Sequence, residues 1–363
     1  MSKRKSPKKK STPNKVTTTA VRREIARLDR EIASNLQKRA EAFLELAELD
    51  AKFLTTPLAE KNVGNPKGPL QGKTIAKILR EIESASRAAV SQVKVAFLGP
   101  EYSYSHLAAI NRFGQSHDLI PNNTIAAVFE SVSREDVAFG IVPIENSTDG
   151  RIVDTLDMFE RTPVKICGEI PVRIHHNLLA NCPQSQIREV HSKPQAISQC
   201  RSWLEKHLPK AKLVPSGSTT AAAKKAATTK NIAAIASVQA ATNYGLNVVA
   251  SQIEDNKHNV TRFAVIGSSP AKRTGKDKTS IMFELKHEPG ALADSMNIFK
   301  RNKLNMTWIE SFPKKGSQNE YVFFVELEGH QNDLRVRRAI DSLKKKSTRI
   351  EILGSYERFQ VAD

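Results

Sequence analysis

From residue 94 onward one local design recurs: a short apolar run, a turn of small hydroxyl or amide residues, then a helical pattern. It is seen in KVAFLGPEYSYSHLAAINRFG (94–114), VAFGIVPIENSTDG (137–150), REVHSKPQAISQCRSWLEKH (188–207), AKLVPSGSTTAAAKKAA (211–227) and NIAAIASVQAATNYG (231–245), and the run closes on the strand TRFAVIG (261–267). Strands alternating with helices pair most simply through crossover connections, so an α/β region with a largely parallel sheet is expected. Residues near 173–250 read as a strand–helix set of their own, which implies two lobes with a cleft between them.

Four turns of this region share one chemistry: GPEYSYS (99–105), PIENSTDG (143–150), SGSTT (216–220) and AIAS (234–237). Each is expected to start a helix. A helix N-terminus exposes unpaired N–H groups and partial positive charge, so it attracts anions. Taken singly, the Ser, Thr and Asn residues there are helix caps. Taken together, at the carboxyl ends of strands, they outline a cleft for a small anion. Walker, dinucleotide-glycine, nucleophile-elbow and paired-cysteine motifs are absent from the sequence, so no cofactor and no metal is expected. His175, His176 and His191 lack ligand spacing and should be packed or hydrogen-bonded.

In NVTRFAVIG (259–267) a hydroxyl and a cation stand at the lip of an apolar strand. Period two places Thr261 and Phe263 on one face and Arg262 on the other. Thr261 and Arg262 reach one ligand only if the strand begins irregularly. Otherwise Arg262 pairs with a structural carboxylate such as Glu254 or Asp255. Glu145 is either an acid or base, or a residue that fixes its loop.

The net charge of +18 on 363 residues suggests nucleic acid, but its distribution argues against that function. The first fifteen residues hold seven Lys or Arg and no acid, and they read as a disordered basic tail (1–17) without a signal-peptide core. The remaining excess has no aromatic interleaving, and an anionic small substrate accounts for a basic cleft. No apolar run approaches a membrane span. Cys167, Cys182 and Cys200 read as reduced thiols of a cytoplasmic protein.

Before the α/β region, residues 18–53 form one long helix with Ile25, Leu28, Ile32, Leu36, Phe43 and Leu46 recurring at helical steps, capped near Thr17–Thr19. A Pro- and Gly-rich stretch (55–72) precedes a second helix (73–92) with Ile75, Ile78, Leu79 and Ile82 on one face. Two such helices make a poor core alone and are expected to pack on a partner chain or the next domain. After a polar linker (268–278) the pattern is βαββαβ, the ferredoxin-like order.

These motifs, in this order, resemble a known family. VAFLGPEYSYSHLAA, GIVPIENSTDGRIVDTLD, VHSKPQAISQC, STTAAA, AAIASVQAATNYGL and IEDNKHNVTRFAVIG look like prephenate dehydratase. PGALADSMNIF, NMTWIESFP, EYVFFVELEGH and ILGSY resemble its C-terminal ACT regulatory domain, and the leader helices resemble the chorismate mutase domain of bacterial P-proteins. The resemblance implies an α/β and α+β multidomain protein: a degenerate mutase-like helical domain (18–92), a two-lobed dehydratase domain (93–268) with periplasmic-binding-protein-like architecture, and a ferredoxin-like ACT domain (278–358). The activity implied is conversion of prephenate to phenylpyruvate, CO2 and water in L-phenylalanine biosynthesis. Thr261 is the implied catalytic donor. Ser103, Ser105, Glu145, Asn146, Ser147, Ser192, Gln199, Ser218, Thr219, Arg262 and Phe263 are the implied substrate residues. Gly290, Ala291, Leu292, Glu310 and Ser311 are implied for the effector L-phenylalanine, and Arg22 and Arg39 are mutase-like. A homodimer or homotetramer without membrane or nucleic-acid partners is implied.

The chain departs from the family pattern at several places. Tyr102 stands where the family has Gly, Gly217 where it has an acid, and Phe312 where its ESRP motif has Arg. In the mutase-like part Asp50 replaces a lysine, with Lys52 off register, Val90 replaces Gln or Glu, and a middle segment is missing. A degenerate arm is therefore expected in place of a working mutase. The alternatives are a bifunctional enzyme, or a non-catalytic small-anion and amino-acid sensing module. Thr261 separates these, since a binder has no need of that hydroxyl.

Overall fold

The structure, a computed structural model, describes residues 17–49, 67–148, 150–314 and 320–359. Residues 1–16 of the basic tail, Asp50, Lys52 and most of the Pro- and Gly-rich stretch lie outside these residues. The chain forms two compact units, Met1–Ser91 and Gln92–Asp363.

The first unit holds α1 (Thr18–Leu49) and α2 (Gly72–Val90). Thr17 Oγ1 caps α1 by accepting from the Ala20 N–H at 3.3 Å. The apolar stripe Ile25, Leu28 and Ile32 stays exposed. On α2 the structure exposes Ile78 and buries Glu83, Ser84, Ser86 and Arg87, unlike the expected apolar face. Pairing explains how these groups tolerate burial: Arg87 meets Glu83 one turn away at 2.7 Å, and Arg39 donates to Ser86 Oγ at 2.9 Å.

The second unit contains three sheets. Its first lobe runs β1 (Lys94–Leu98), α3 (Tyr104–Phe113), β2 (Asp118–Asn122), α4 (Ile125–Ser133), β3 (Phe139–Asn146), β4 (Gly150–Arg151), α5 (Val153–Arg161) and β5 (Lys165–Arg173). The second lobe follows with β6 (Asn177–Ala180), β7 (Glu189–Ser192), α6 (Pro194–Ser198), α7 (Arg201–His207), β8 (Lys212–Pro215), α8 (Thr219–Thr228), β9 (Ile232–Ala236), α9 (Val238–Tyr244) and β10 (Asn247–Ala250). The chain then returns to the first lobe as β11 (Val260–Gly267), so that sheet is ordered β2-β1-β3-β11-β5 with β4 beside β3. The second-lobe sheet is ordered β10-β6-β9-β7-β8.

Both sheets are largely parallel, as expected, but mixed. The strand β11 runs antiparallel to β3 and β5, and β6 runs antiparallel to β9 and β10. The returning chain re-enters the first lobe from the far lobe, so it can only run opposite to the strands that point outward. The start of β11 therefore lies beside the end of β3, with Thr261 opposite Asn146 and Arg262 opposite Glu145.

The third sheet comprises β12 (Asp277–Leu285), β13 (Met306–Pro313), β14 (Tyr321–Glu328) and β15 (Ser347–Glu357), ordered β13-β14-β12-β15, with α10 (Ala291–Arg301) and α11 (Leu334–Lys344) on one face. Its other face packs on the first-lobe sheet. Met282, Phe324, Leu353 and Tyr356 share one core with Ile144, Ile166, Ala264 and Ile266. Backbones meet directly at Gly354, where an added Cβ would lie 2.1 Å from the Ile166 carbonyl oxygen.

Candidate active site

Three of the four hydroxyl-rich turns are helix starts. Ser103 Oγ accepts from His106 N at 3.3 Å, Ser218 Oγ from Ala221 N at 2.9 Å, and Ser237 Oγ from Ala240 N at 3.3 Å. Thr219 is the first residue of α8, and Ser105 is buried in the first turn of α3. The fourth turn, 143–150, departs from expectation: it is the bend of the β3–β4 hairpin, and α5 begins later behind Ile152. Ser147 is thus not at a helix start. Its Oγ accepts from Val260 N at 2.9 Å and donates to the His258 carbonyl at 3.3 Å, which ties the bend to the beginning of β11.

At that junction Thr261 is buried against Asn146. Asn146 Nδ2 donates to Thr261 Oγ1 at 2.7 Å and to Asn259 Oδ1 at 3.0 Å. Asn146 Oδ1 accepts from the Thr148 backbone N–H at 2.9 Å, and that bond sets which way the Asn146 amide points. Gln199, which closes α6 in the second lobe, accepts at Oε1 from Asn259 Nδ2 at 3.0 Å and from His176 Nε2 at 2.8 Å. Asn146, Gln199 and Thr261 are therefore brought into one hydrogen-bonded set. Ser192 ends β7 with its hydroxyl donating to the Ile235 carbonyl at 2.7 Å. Phe263, on the same strand face as Thr261, is buried in the core with Val95, Phe97 and Val265.

The two lobes also touch around Tyr102, the residue expected to reshape the cleft wall. It adopts a left-handed φ of 63°, its carbonyl accepts from Ser237 Oγ at 3.3 Å, and its ring meets that of Tyr244 edge-on. Tyr104 donates from its hydroxyl to the His175 carbonyl at 2.6 Å. Burial, with Glu254 and Cys200 nearby, pushes that phenol far up, so it stays a neutral donor. His175 bonds Glu254 at 2.8 Å and His191 bonds Glu189 at 2.8 Å.

Residues 95–271 match the family model for prephenate dehydratase. A bifunctional chorismate mutase/prephenate dehydratase of Aquifex aeolicus is 39% identical over 351 residues, spanning 93% of this chain and 97% of the relative. The chain belongs to the prephenate dehydratase family. Among solved structures, prephenate dehydratase from Arthrobacter aurescens in complex with L-Phe superposes with a TM-score of 0.68 at 32% identity, covering 73% of this chain and 90% of that one. The quorum-quenching acylase GqqA also shares the fold, with a TM-score of 0.67, 28% identity, and 73% and 98% of the two chains covered.

Within this prephenate dehydratase framework Arg262 pairs with structural carboxylates, as the second expectation had it, but not with Glu254 or Asp255. Strand alternation is kept at Thr261–Phe263, and the irregularity lies on β3, where Ile144 is the extra residue. Arg262 consequently points away from Thr261, toward the third sheet. It meets Glu145 at 3.1 Å, Glu169 at 3.3 Å and Glu326 at 2.5 Å, and its guanidinium carbon lies 5.3 Å from the centre of the Trp308 ring. The expected partners are engaged elsewhere: Glu254 holds His175 and His176 N, and Asp255 accepts from the N–H groups of Ser202 and Trp203. Lys278 completes the cluster, 2.5 Å from Glu169 and 2.8 Å from Glu326. Burial opposes ionisation of Glu326, but Arg262 and Lys278 outweigh it and hold that carboxyl below its usual range. Burial likewise opposes the charge on Arg262, and Glu326 with Glu169 more than restores it.

The sequence-nominated effector residues divide between the two faces of the third sheet. Gly290, in a left-handed conformation at φ 82°, starts α10, followed by Ala291 and the exposed Leu292. Ser311 sits opposite Phe323 on the helix-covered face. Glu310 faces the first lobe instead, where Arg151 of β4 pairs with it at 2.7 Å and lies 4.6 Å over the Phe312 ring. The residue that replaces the family arginine thus stacks under a cation of the β3–β4 hairpin. A cavity of about 480 Å³ lies away from Thr261, lined by Lys165, Gln331, Asp341, Lys344 and Gly354 among others.

In the helical unit Arg22 is exposed and Arg39 is half-buried over the Phe43 ring. Seventeen residues separate them on one helix, roughly 25 Å at 1.5 Å per residue. One chain cannot bring both to the same small molecule.

Sequence reasoning expected a hydrogen-bonded His176 without giving it a place in the site, and missed Asn259, Arg151, Lys278, Glu169 and Glu326. Of those five, Asn259 left a signal: it stands two residues before Thr261, on the same strand face. The others meet their partners from distant segments, which no local pattern records.

Proposed function

We propose that the chain binds prephenate between its two lobes and converts it to phenylpyruvate, CO2 and water. The observation that carries this reading is the bond from Asn146 Nδ2 to Thr261 Oγ1. With that oxygen accepting, the Thr261 hydroxyl proton is directed to a second acceptor, the ring hydroxyl that must leave. Loss of the ring carboxylate as CO2 releases an electron pair into the ring. The opposite C–O bond breaks, hydroxide leaves and becomes water on protonation by solvent, and the ring becomes aromatic. Thr261 is too weak an acid to protonate the leaving oxygen outright, so it polarises it by hydrogen bonding. The side-chain carboxylate is suited to the N–H groups at the starts of α3 and α8.

The C-terminal module acts as an ACT domain that senses L-phenylalanine through Gly290, Ala291, Leu292 and Ser311, within a homodimer or homotetramer in the cytoplasm. The helical unit is a degenerate mutase arm: Arg22 and Arg39 remain, while a lysine and a late Gln or Glu of the family pattern are replaced by Asp50 and Val90.

Incubation of the pure protein with prephenate, followed by phenylpyruvate absorbance in base, tests the main claim. Thr261→Val lowers kcat by about 10²–10⁴ if the hydroxyl acts on the leaving group, with the fold retained. Unchanged turnover in this variant would overturn the role of Thr261. Binding without turnover by the wild type would establish the sensing-module alternative. Chorismate, supplied separately, should go unconverted.

A further inference from the structure

We infer that Asn259 and His176 are positioning residues for the dehydration, acting through Asn146 and Gln199 to orient the Thr261 hydroxyl. The argument rests on the direction of each hydrogen bond. An amide shows its oxygen and nitrogen with almost the same shape, so its orientation has to be deduced from partners of known polarity. Here one partner is unambiguous. The backbone N–H of Thr148 can only donate, so the Asn146 atom facing it at 2.9 Å is the oxygen. The other Asn146 atom is then Nδ2, the donor to Thr261 Oγ1 and Asn259 Oδ1. Asn259 must therefore turn its own Nδ2 to Gln199, whose Oε1 accepts. His176 Nε2 faces the same oxygen at 2.8 Å and so must carry a hydrogen.

One backbone N–H thereby determines the polarity of four side chains. The outcome is a set that gives Thr261 a hydrogen and takes none from it. This arrangement does not pass protons, because two amides interrupt it. It holds one orientation. If Asn146 turned over, its oxygen would face Thr261 Oγ1, the Thr261 proton would be spent on it, and the leaving group would lose its donor. Asn259 opposes that reversal by presenting an acceptor to Nδ2, and His176 with Gln199 keeps Asn259 from reversing in turn.

The set also joins the two lobes. Thr261 and Asn146 belong to the first lobe, Gln199 to the second, and His176 and Asn259 to the two crossover segments between them. Orientation of the donor is thus linked to the relative placement of the lobes. A second layer supports His176: Glu254 accepts from its backbone N–H at 2.8 Å and from His175 Nδ1 at 2.8 Å.

This inference rests on the dehydratase reading, and its test separates the two. Four proteins are assayed with prephenate: wild type, Asn259→Ala, His176→Leu and His176→Gln. Leu keeps the volume of the imidazole and removes the donor; Gln places an N–H near the position of Nε2. Misorientation of a catalytic group costs up to about 10²-fold, so Asn259→Ala and His176→Leu should lose about ten- to a hundredfold in kcat. KM should stay near that of the wild type, because neither residue needs to touch substrate. His176→Gln should regain most of the lost kcat. Thermal unfolding of each variant is measured alongside, so that loss through unfolding is recognised, and a His176→Leu protein with a normal thermal melt and the lowered kcat supports the inference. Full kcat in folded Asn259→Ala and His176→Leu overturns it, as does a loss confined to KM or a His176→Gln protein no better than His176→Leu. If the wild type itself leaves prephenate untouched, the dehydratase reading fails first.

Discussion

Replacing Arg262 with Met should destabilise the second unit by about 3–5 kcal/mol at pH 7, the usual cost of leaving a buried charge without its partner. The magnitude follows from the charge balance of the cluster. Arg262 and Lys278 face Glu169 and Glu326, and the side chains of Lys278, Glu169 and Glu326 are 6%, 6% and 2% exposed. Two cations against two buried carboxylates balance, with Glu145 at the edge. Met retains much of the apolar stem but leaves Lys278 alone with both carboxylates. Protonation of Glu326 can relieve the excess negative charge, so the cost must depend on pH. In the wild type the Glu326 carboxyl is held below its ordinary value of 4.5. Its stabilising contribution is therefore full above about pH 4.5 and is lost as pH falls through the lower folded-state value. In the variant, burial dominates and the carboxyl rises. The unfolded state then binds fewer protons than the folded one as pH falls toward 5, and the gap between variant and wild type narrows.

Urea unfolding at pH 7 and pH 5 measures both effects. Trp308 reports directly, since its ring lies against Arg262. The chain has 2 tryptophans, so a Trp203→Phe background isolates the signal. A cost below about 1 kcal/mol at pH 7, the range of an exposed pair, would refute the account, and so would a gap that does not narrow at pH 5. The same protein tests the placement of Arg262. If it held a substrate carboxylate, KM for prephenate would rise by about two orders of magnitude, as expected for loss of a charge-assisted bond of roughly 3 kcal/mol. Facing away from Thr261, it should leave KM nearly unchanged in protein that is still folded.

Arg151→Gln should weaken the response to phenylalanine. An exposed ion pair is worth about 0.5–1 kcal/mol, so the half-inhibitory concentration should shift about two- to fivefold, measured by prephenate turnover against added phenylalanine. Gly354→Ala puts a methyl 2.1 Å from the Ile166 carbonyl oxygen, a backbone atom that cannot turn aside. A thermal melt should show a loss above about 3 kcal/mol, since overpacking against backbone is among the severe mechanisms. Burial pushes the Cys167 thiol up to about 12, with Arg112 only partly offsetting it, and pushes Cys200 up as well, while Cys182 is partly exposed. Thiol titration of the folded protein at pH 8 should find Cys182 reacting first and the other two only on unfolding.

The alternation of strands, turns and helices from residue 94, the βαββαβ order near the end, and the capping roles of Ser103, Ser218 and Ser237 were all legible in the sequence. These features depend on local periodicity and on which side chains can satisfy a helix start, and both are properties of neighbouring residues. The ordered motifs also pointed to the family, because many residue types in one order constrain more than any single one.

Tertiary structure decided the rest. The reversal of β11 in an otherwise largely parallel sheet depended on how the chain returns from the far lobe, and no window of sequence contains that route. The turn at 143–150 has the composition of a helix start, but pairing with β11 made it a hairpin. Arg262 was assigned a carboxylate in either reading. Its actual partners, Glu145, Glu169 and Glu326, come from three strands in two sheets that meet only on folding. For Thr261 the sequence determined the hydroxyl and the strand face it occupies. The direction in which its proton points was set by Asn146, itself oriented by one backbone N–H. A hydrogen bond's polarity belongs to a pair of atoms in space, so it exists only once the chain has folded.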